Sequence, residues 1–344
     1  MGEHGRGLGF RRGEKSARVI ISRNPYRISL VGGSTDYKEW FKDHPGACLS
    51  TTINRYAYLS VRRLPPFHPH KTRAVWSEIE NVSANSEIRH PAIRGCLEFM
   101  GVEEGLEIHH DGDLPGRSGM GSSAVFTVGL LHCLHALKSE MVSKRTLALE
   151  AMQVDQDIVS EVVGCQDHCA SAFGGLNRMD FGGERADFTV TPIPLGKERL
   201  KEFERHLMLF FTGISRHASE VAARQVAKIG ENGATLERMA VMVAEGQELL
   251  MAGQFREFGL LIEDAWKLKR SLGASNGEVD SIHDAAMKAG ALGTKILGAG
   301  EGGFMLVVAE SDRHTEIRAA LGDLLYVPFE FERQGSQIVY YSGE

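Results

Sequence analysis

The stretch that most constrains this chain is residues 114–124, LPGRSGMGSSA. It holds three glycines within six residues (Gly116, Gly119 and Gly121), followed by two serines and a long apolar run. Because residues 106–110 alternate like a strand, the context predicts a strand, a glycine-rich turn and the start of a helix. The unpaired first amides of a helix attract anions, and glycine lets the backbone approach a ligand closely. The stretch therefore predicts a site for a nucleotide polyphosphate with Mg²⁺.

Two common nucleotide-binding patterns do not describe this loop. The sequence has no Gly-x-x-x-x-Gly-Lys followed by Ser or Thr, which excludes a Walker-type phosphate loop. The dinucleotide pattern Gly-x-Gly-x-x-Gly is not met in the loop either. The plainer interpretation, a tight turn capped by a serine, needs fewer glycines and only one serine. We therefore favour a phosphate-binding turn that belongs to neither class.

Composition limits the class of protein and its partners. The chain has 344 residues and a net charge of −6, which argues against a nucleic-acid partner. Its apolar runs are shorter than the roughly 18 residues needed to span a membrane, so no membrane partner is expected. Five cysteines, an odd and sparse set, are typical of free thiols in a reducing cytoplasm. Residues 1–17, glycine-rich and basic without the apolar core of a signal peptide, are predicted to be a disordered tail.

Two further segments carry candidate chemistry. Residues 24–36 (NPYRISLVGGSTD) place Arg27 on a strand and Asp36 directly after a glycine turn. Residues 294–304 (TKILGAGEGGF) form a second glycine-rich loop that leads into a strand. Together with the first loop, the second one predicts another wall of a nucleotide site. The Asp36 side chain fits a turn cap as well as a ligand, so both interpretations stay open here.

Periodicity and composition predict two domains. Helices are expected at 145–163, 235–252 and 255–272, and a closing strand at 337–341. Prolines and a charged run near residues 195–206 predict a boundary. The resulting division is a tail at 1–17, an N-terminal domain at 18–200 and a C-terminal domain at 201–344.

Three motifs now stand in order along the chain, at residues 25–36, 115–124 and 295–304. In this order and spacing they resemble the GHMP kinase superfamily, and the resemblance covers residues 18–344. It implies an α+β, two-domain GHMP kinase fold. The N-terminal domain would be a ribosomal-S5-domain-2-like α/β domain, and the C-terminal domain would be ferredoxin-like.

Several segments resemble bacterial D-glycero-D-manno-heptose 7-phosphate kinases in particular. These segments are residues 32–40, 49–54, 117–123, 164–168, 212–216 and 266–269. Those enzymes move the γ-phosphate of ATP onto the anomeric hydroxyl, and the 1,7-bisphosphate feeds GDP-heptose for surface glycans. Another sugar 1-kinase of the superfamily, a fucokinase or a galactokinase, is the alternative within the resemblance.

The resemblance also implies catalytic roles. Asp167 falls where such sugar kinases place the base that takes the proton from the attacking hydroxyl. Arg27 would lie beside it and stabilise charge on the transferring phosphoryl group. The ATP-binding residues would be Pro115, Gly116, Arg117, Ser118, Gly119, Met120, Gly121, Ser122 and Ser123.

Ser123 would bind Mg²⁺, and the resemblance assigns a second ligand 12 residues before the base, where galactokinase-like members carry Glu. Here that position is Asp155, whose side chain is one methylene shorter. Asp157, Glu161 or a bridging water could take the place of direct ligation by Asp155. His168 stands where relatives often carry Gln, which leaves the substrate detail open.

The resemblance also implies residues that bind the sugar phosphate. Asp36 is expected to accept hydrogen bonds from sugar hydroxyls, and cationic side chains are expected to hold the substrate phosphate. The substrate-binding residues would be Ser34, Thr35, Asp36, Lys38, Arg117, Gly174, Arg216 and Gly300.

Three function classes remain distinguishable. A cytoplasmic ATP- and Mg²⁺-dependent sugar-phosphate kinase is favoured, because Asp167, Arg27 and Ser123 occur together. A catalytically inactive sugar or nucleotide sensor on the same fold would not need the base. An RNA-associated module is disfavoured by the acidic charge and the lack of a basic aromatic stripe. The expected partners are ATP and a sugar phosphate, and a homodimer is an assembly that the sequence leaves open.

Overall fold

One long strand organises the larger of two sheets in the computed structural model, which describes residues 19–65, 67–214 and 218–342. Strand β2, Gly46–Arg63, is 18 residues long and pairs antiparallel with β1, Val19–Val31. The first part of β2 also pairs with β6, Asn177–Phe181, and its second part with β5, Leu106–Gly112. The first eight residues of β2 are all buried. The predicted tail at 1–17 and Arg216 lie outside the described residues.

The remaining strands of this sheet extend it in both directions. They are β3 (Thr72–Val75), β4 (Ile79–Val82), β7 (Phe188–Pro192), β12 (Phe331–Glu332) and β13 (Gln337–Tyr341). Within the described part of the chain the sheet has nine strands, in the order β13-β1-β2-β5-β3-β4, with β6 and β12 also pairing with β2 and β7 pairing with β6. Among the described strands of this sheet, only β3 and β5 pair in parallel.

A second sheet lies in the later part of the chain. It consists of β8 (Leu207–Phe211), β9 (Gly293–Ile296), β10 (Phe304–Val308) and β11 (Leu325–Tyr326). The order is β11-β8-β10-β9 with antiparallel pairing throughout, and Met208, Phe210 and Trp266 belong to a separate apolar cluster there. The predicted α+β class with an antiparallel C-terminal sheet is confirmed.

Helices cover both sheets. They are α1 (Lys38–Phe41), α2 (Pro91–Phe99), α3 (Ser122–Leu137), α4 (Lys144–Gln153), α5 (Gln166–Phe173), α6 (Lys197–Arg205), α7 (Ala218–Val226), α8 (Gly233–Ala252), α9 (Phe255–Ser271), α10 (Gly277–Lys288) and α11 (His314–Ala320). Helix α3 packs on β1 and β2 and is buried on most sides, as its apolar sequence predicts. The helices expected at 235–252 and 255–272 are confirmed as α8 and α9. No described helix has the length and apolarity to cross a bilayer, and the five cysteines are free and buried.

The single helix predicted at 145–163 is wrong. Helix α4 ends at Gln153, a π-helical turn occupies Val154–Ile158, and no regular element follows before α5. Ser160 then adopts a left-handed conformation with φ of 62°. Because no proline or glycine occurs between residues 145 and 159, the local sequence carries no signal for this break.

The closing strand predicted at 337–341 is confirmed as β13, but it closes the first sheet and not the second. Strand β13 pairs with β1, and β12 pairs with β2. The chain therefore returns to its starting sheet at its end. The division predicted between residues 200 and 201 accordingly does not coincide with the division between the two sheets.

The crossing of α3 over the first sheet yields a stability prediction at Gly129. A Cβ there would lie 2.8 Å from Leu59 Cδ2 and closer still to the Asn24 side-chain amide. Although alanine is the better helix former, we expect Gly129→Ala to lower the free energy of unfolding by about 1–3 kcal/mol through overpacking. Denaturant unfolding measures this change.

The matched control is Gly233→Ala, at the open start of α8, where a Cβ would meet no atom within 4 Å. We expect no loss of stability there. Equal effects of the two substitutions would contradict the described packing of α3.

Candidate active site

The first glycine loop joins β5 to α3 as the sequence predicts. Arg117, Gly119 and Gly121 have positive φ values of 59°, 80° and 78°, which turn the chain sharply into the helix. Gly121 is the N-cap residue, and no side chain caps α3. The first amides of a 16-residue helix therefore face the loop without a side-chain cap, which is the arrangement that favours an anion.

The side chains of the loop serve different purposes. Ser118 Oγ donates to Pro115 O at 2.7 Å, and Arg117 N donates to Ser122 Oγ at 3.3 Å, so both serines stabilise the turn. Met120 is fully buried, and its carbonyl accepts a hydrogen bond from Arg27 N at 3.3 Å. A Cβ added at Gly116 would meet no atom within 4 Å, so this part of the loop is open.

The second glycine loop packs directly against the first. A Cβ at Gly119 would lie 2.9 Å from the carbonyl carbon of Leu297, and one at Gly303 would lie 2.6 Å from that of Ser118. Phe304 N also donates to Ser118 O at 3.1 Å. Such backbone approach requires glycine, so the second loop fixes the position of the first.

Arg27 and Asp167 form an ion pair beside the first loop. Arg27 Nε and Nη2 donate to the two carboxylate oxygens of Asp167 at 2.7 and 2.9 Å. Arg27 Nη1 donates to Gly119 O at 2.7 Å, so the same guanidinium also holds the loop. The side chains are only 3% and 14% exposed, and a Cβ at Gly121 would lie 3.4 Å from the carboxylate carbon of Asp167. The carboxylate thus lies against the start of α3, where the anion site is expected.

Asp36 lies close to this pair in a buried turn. It accepts hydrogen bonds from Ser34 N at 3.0 Å and Gln166 N at 3.3 Å. Burial, together with the nearby charge of Asp167, raises the pKa of Asp36. Gly164 makes this contact possible, because a Cβ there would lie 2.6 Å from Asp36 Cγ. Asp36 therefore connects the first motif to the segment that carries Asp167.

The other predicted substrate residues are more scattered. Thr35 is fully buried and bonds Gly32 O and Ala47 O, so its hydroxyl serves the turn. Lys38 is exposed at the start of α1. Gly174 lies at the opposite end of α5 from Asp167. A Cβ added at Gly174 would lie 2.5 Å from Gln334 O, and one added at Gly300 would lie 2.5 Å from Ala274 Cα. The structure gives these two glycines packing roles and does not bring them to Asp167.

The predicted metal ligands separate in the structure. Ser123 Oγ donates to Glu161 Oε2 at 3.0 Å, so Glu161 is the carboxylate at the start of α3. Burial, together with the charge of Asp155, raises the pKa of Glu161. Asp157 is bound by both terminal nitrogens of Arg185, at 2.6 and 2.7 Å.

Asp155, which was expected to be the metal ligand, has its oxygens engaged elsewhere. Thr127 Oγ1 donates to Asp155 Oδ1 at 2.7 Å, and His168 Nε2 lies 2.9 Å from Oδ2. All three side chains are buried. Direct ligation of the metal by Asp155 therefore stays a prediction; in this structure Asp155 contacts Thr127 and His168, and Glu161 contacts Ser123.

Hard oxygen donors at this point suit Mg²⁺. In the described ranges no group of three or more His, Cys, Asp or Glu side chains is arranged to hold a metal ion. Mg²⁺ needs no such cage, since it commonly uses one or two protein oxygens plus phosphates and water. The hydroxyl of Ser123 and the carboxylate of Glu161 fit that donor set.

Two buried lysines, which the sequence did not predict to be buried, connect backbone segments near the site. Lys295 Nζ donates to Leu30 O at 2.8 Å, and burial, with the nearby charge of Lys269, lowers the pKa of Lys295. Lys269 Nζ in turn donates to Gly298 O. The available signal was position, because Lys295 begins the third motif, but its burial depends on contacts with β1.

Two protein-family models and several known proteins are similar to this chain. The model of the GHMP kinases N terminal domain matches residues 88–175, and that of the GHMP kinases C terminal domain matches 247–327. A D-glycero-alpha-D-manno-heptose 7-phosphate kinase of Campylobacter jejuni is 25% identical over 92% of this chain and 98% of its own length. A galactokinase of Thermococcus kodakarensis is 24% identical over 88% of this chain and 92% of its own.

A solved structure supports the same fold. The D-glycero-D-manno-heptose 1-phosphate kinase from Bacteriodes thetaiotaomicron superposes with a TM-score of 0.74 and 23% identity, covering 93% of this chain and 99% of its own. The matches to both family domains are consistent with the two-sheet fold and with the two glycine loops that pack against each other. The chain therefore contains the N-terminal and C-terminal domains of the GHMP kinases, a family of ATP-dependent phosphotransferases that act on hydroxyl groups.

Proposed function

We propose that this protein, a sugar kinase of the GHMP family, transfers the γ-phosphate of ATP to the anomeric hydroxyl of D-glycero-D-manno-heptose 7-phosphate. The products are ADP and the 1,7-bisphosphate, which would serve the synthesis of nucleotide-activated heptose for surface glycans. The observation that carries the reaction type is the Arg27–Asp167 pair, which lies against the uncapped start of α3. The choice of sugar is supported by the Campylobacter jejuni relative, which matches along nearly its whole length.

The terminal phosphates of ATP would lie at the start of α3. Backbone amides at a helix N-terminus stabilise the charge that spreads over the phosphoryl oxygens during transfer. The hydroxyl of Ser123 and the carboxylate of Glu161 would hold Mg²⁺ there, and the ion would neutralise charge on the phosphates when bound. Arg117, on the same loop, supplies a further positive charge beside Glu161.

Asp167 would act as the general base. As the anomeric oxygen forms its bond to the γ-phosphorus, the bond from phosphorus to the leaving oxygen of ADP breaks, and the hydroxyl proton passes to Asp167. The bidentate contact from Arg27 fixes the orientation of the carboxylate. Because Arg27 also bonds Gly119 O, base and phosphate loop are held at one fixed separation, which is what positioning catalysis requires.

The sugar would lie between Asp167 and the turn that carries Asp36. The turn that carries Asp36 and the start of α5 are adjacent, since Gln166 N donates to the Asp36 carboxylate. The nearby charge of Asp167 also contributes to the raised pKa of Asp36. The exposed Lys38 begins the helix directly after this turn and is our candidate for the substrate phosphate, together with Arg117 and Arg216. A phosphate at the far end of an extended heptose suits an exposed cation such as Lys38.

We predict that Asp167→Asn lowers kcat by about 10² or more while ATP affinity changes less than about threefold, because the amide cannot take a proton. Steady-state kinetics and calorimetric ATP titration measure the two effects. Asp180→Asn is the matched control, since Asp180 also pairs with an arginine, Arg178, but on β6. Near-normal turnover of the Asp167 variant would contradict its role as base.

We predict that Arg27→Lys lowers kcat by about tenfold or more, although the charge is kept, because an ammonium cannot bond Asp167 twice and Gly119 at the same time. Arg23→Lys, on the same strand, is the control; Arg23 is more exposed and bonds Gln337. If both lysine variants keep full activity, the guanidinium geometry is not part of catalysis.

An acceptor panel tests the proposed substrate. We expect ADP release with D-glycero-D-manno-heptose 7-phosphate at a kcat/KM at least about 10² above that with galactose or fucose, because the site would bind a phosphate that these sugars lack. Heptose 1-phosphate, the acceptor class of the structural relative, has its anomeric oxygen blocked and should not react. Turnover of unphosphorylated hexoses alone would identify a galactokinase-like or fucokinase-like enzyme and refute the heptose assignment.

A further inference from the structure

Three carboxylates in the segment between α4 and α5 are candidates for the protein ligand of Mg²⁺. Asp155, Asp157 and Glu161 all precede the proposed base within 12 residues, and sequence position favours Asp155. The structure separates them by their partners. Asp157 is half-exposed and held bidentately by Arg185, so it is already neutralised at the surface.

Asp155 is committed to a buried network. Its two oxygens accept from Thr127 Oγ1 and His168 Nε2, at 2.7 and 2.9 Å. Asp155 and His168 have side-chain exposures of 1% and 0%. Both oxygens of Asp155 thus have side-chain partners in the protein interior, and a metal ion bound to Asp155 would have to enter this buried network.

Glu161 is directed to the phosphate loop by the backbone. The π-helical turn ends at Ile158, Ser160 has a φ of 62°, and Glu161 N donates to Asp155 O at 2.8 Å. This reversal folds the chain back over the first turn of α3. As a result Glu161 Oε2 lies 3.0 Å from Ser123 Oγ.

The spacing of these two oxygens suits one metal ion. Mg²⁺ holds oxygen ligands at about 2.1 Å in an octahedron, so two neighbouring ligands stand about 3.0 Å apart. The Ser123 and Glu161 oxygens show that separation, 3.0 Å, with no cationic side chain bonded to the carboxylate among the described contacts.

We propose that Glu161, and not Asp155, is the protein carboxylate that binds Mg²⁺ together with Ser123. Asp155 is a positioning residue, which ties α3 through Thr127 to α5 through His168, the neighbour of the base. The proposed ligand thus stands 6 residues later in the chain than the family resemblance implies, at Glu161 instead of Asp155. The inference rests on the proposed function only in requiring a metal–nucleotide complex at the first glycine loop, and the identity of the sugar does not enter it.

Mn²⁺ in the presence of a non-hydrolysable ATP analogue is the probe. Electron paramagnetic resonance titration measures free Mn²⁺, without turnover or acceptor. For Glu161→Gln we expect Mn²⁺ affinity in the ternary complex to fall at least about tenfold, with a melting temperature near that of the wild type. For Asp155→Asn we expect the affinity to stay within about threefold and the melting temperature to fall by about 4 °C or more.

Asp157→Asn is the matched control, since it makes the same chemical change on the same segment outside the site, and its Mn²⁺ affinity should be unchanged. If Glu161→Gln does not fold, Glu161→Asp replaces it, because withdrawal of the oxygens by one methylene should weaken Mn²⁺ in the same way. If Asp155→Asn does not fold, Thr127→Val, which removes one of its donors, should leave Mn²⁺ affinity unchanged.

The outcomes separate the inference from the proposed function. Unchanged Mn²⁺ affinity in the folded Glu161 variant, or an equal tenfold loss in the folded Asp155 variant, overturns the assignment of the ligand. A wild-type protein that binds no Mn²⁺ with the ATP analogue overturns the inference together with the proposed nucleotide site.

Discussion

The guanidinium group of Arg27 joins the three segments from which the site is built. Arg27 is part of β1, and its guanidinium group donates to both oxygens of Asp167 at the start of α5 and to the carbonyl of Gly119 in the phosphate loop. Hydrogen bonds that involve charged groups stabilise by about 1.5–3 kcal/mol each. Because Arg27 is nearly inaccessible to water, loss of one partner would leave a buried charge, at a cost of about 3–5 kcal/mol. The geometry of the base is thus coupled to the stability of the fold.

The two glycine loops extend this coupling to the second sheet. Gly119 and Gly303 bring the backbones of the first and second loops into direct contact, and Phe304, which begins β10, bonds Ser118. The buried side-chain nitrogen of Lys295, on β9, donates to the carbonyl of Leu30 on β1. The second sheet therefore determines where the phosphate loop lies, even though the candidate catalytic side chains come from the first part of the chain. A change in the contact between the sheets would move the loop relative to Asp167.

Local parts of this arrangement could be predicted from the sequence, and parts that depend on distant contacts could not. The strand, loop and helix around Gly119 were predictable because glycine spacing and the following apolar run are local signals. Pairing of Arg27 with Asp167, 140 residues away, was expected only through the family resemblance. The π-helical turn after Gln153 had no local signal, and the family resemblance, which places the second metal ligand 12 residues before the base, pointed to Asp155.

Glycines and the closing strand show the same limit. Gly174 and Gly300 were predicted to contact the substrate, but each packs against another backbone segment, at Gln334 and at Ala274 respectively. The strand at 337–341 was predictable from its β-branched and aromatic residues, whereas its pairing with β1 required the whole fold.

The most direct test of the account is a crystal structure of the protein with a non-hydrolysable ATP analogue and the sugar phosphate. The account predicts the terminal phosphates in contact with the backbone amides at the start of α3, and an Asp167 oxygen within hydrogen-bond distance of the acceptor hydroxyl, on the side of the γ-phosphorus opposite to the leaving group. A nucleotide bound away from the first glycine loop, or an Asp167 carboxylate that faces away from the acceptor, would contradict it.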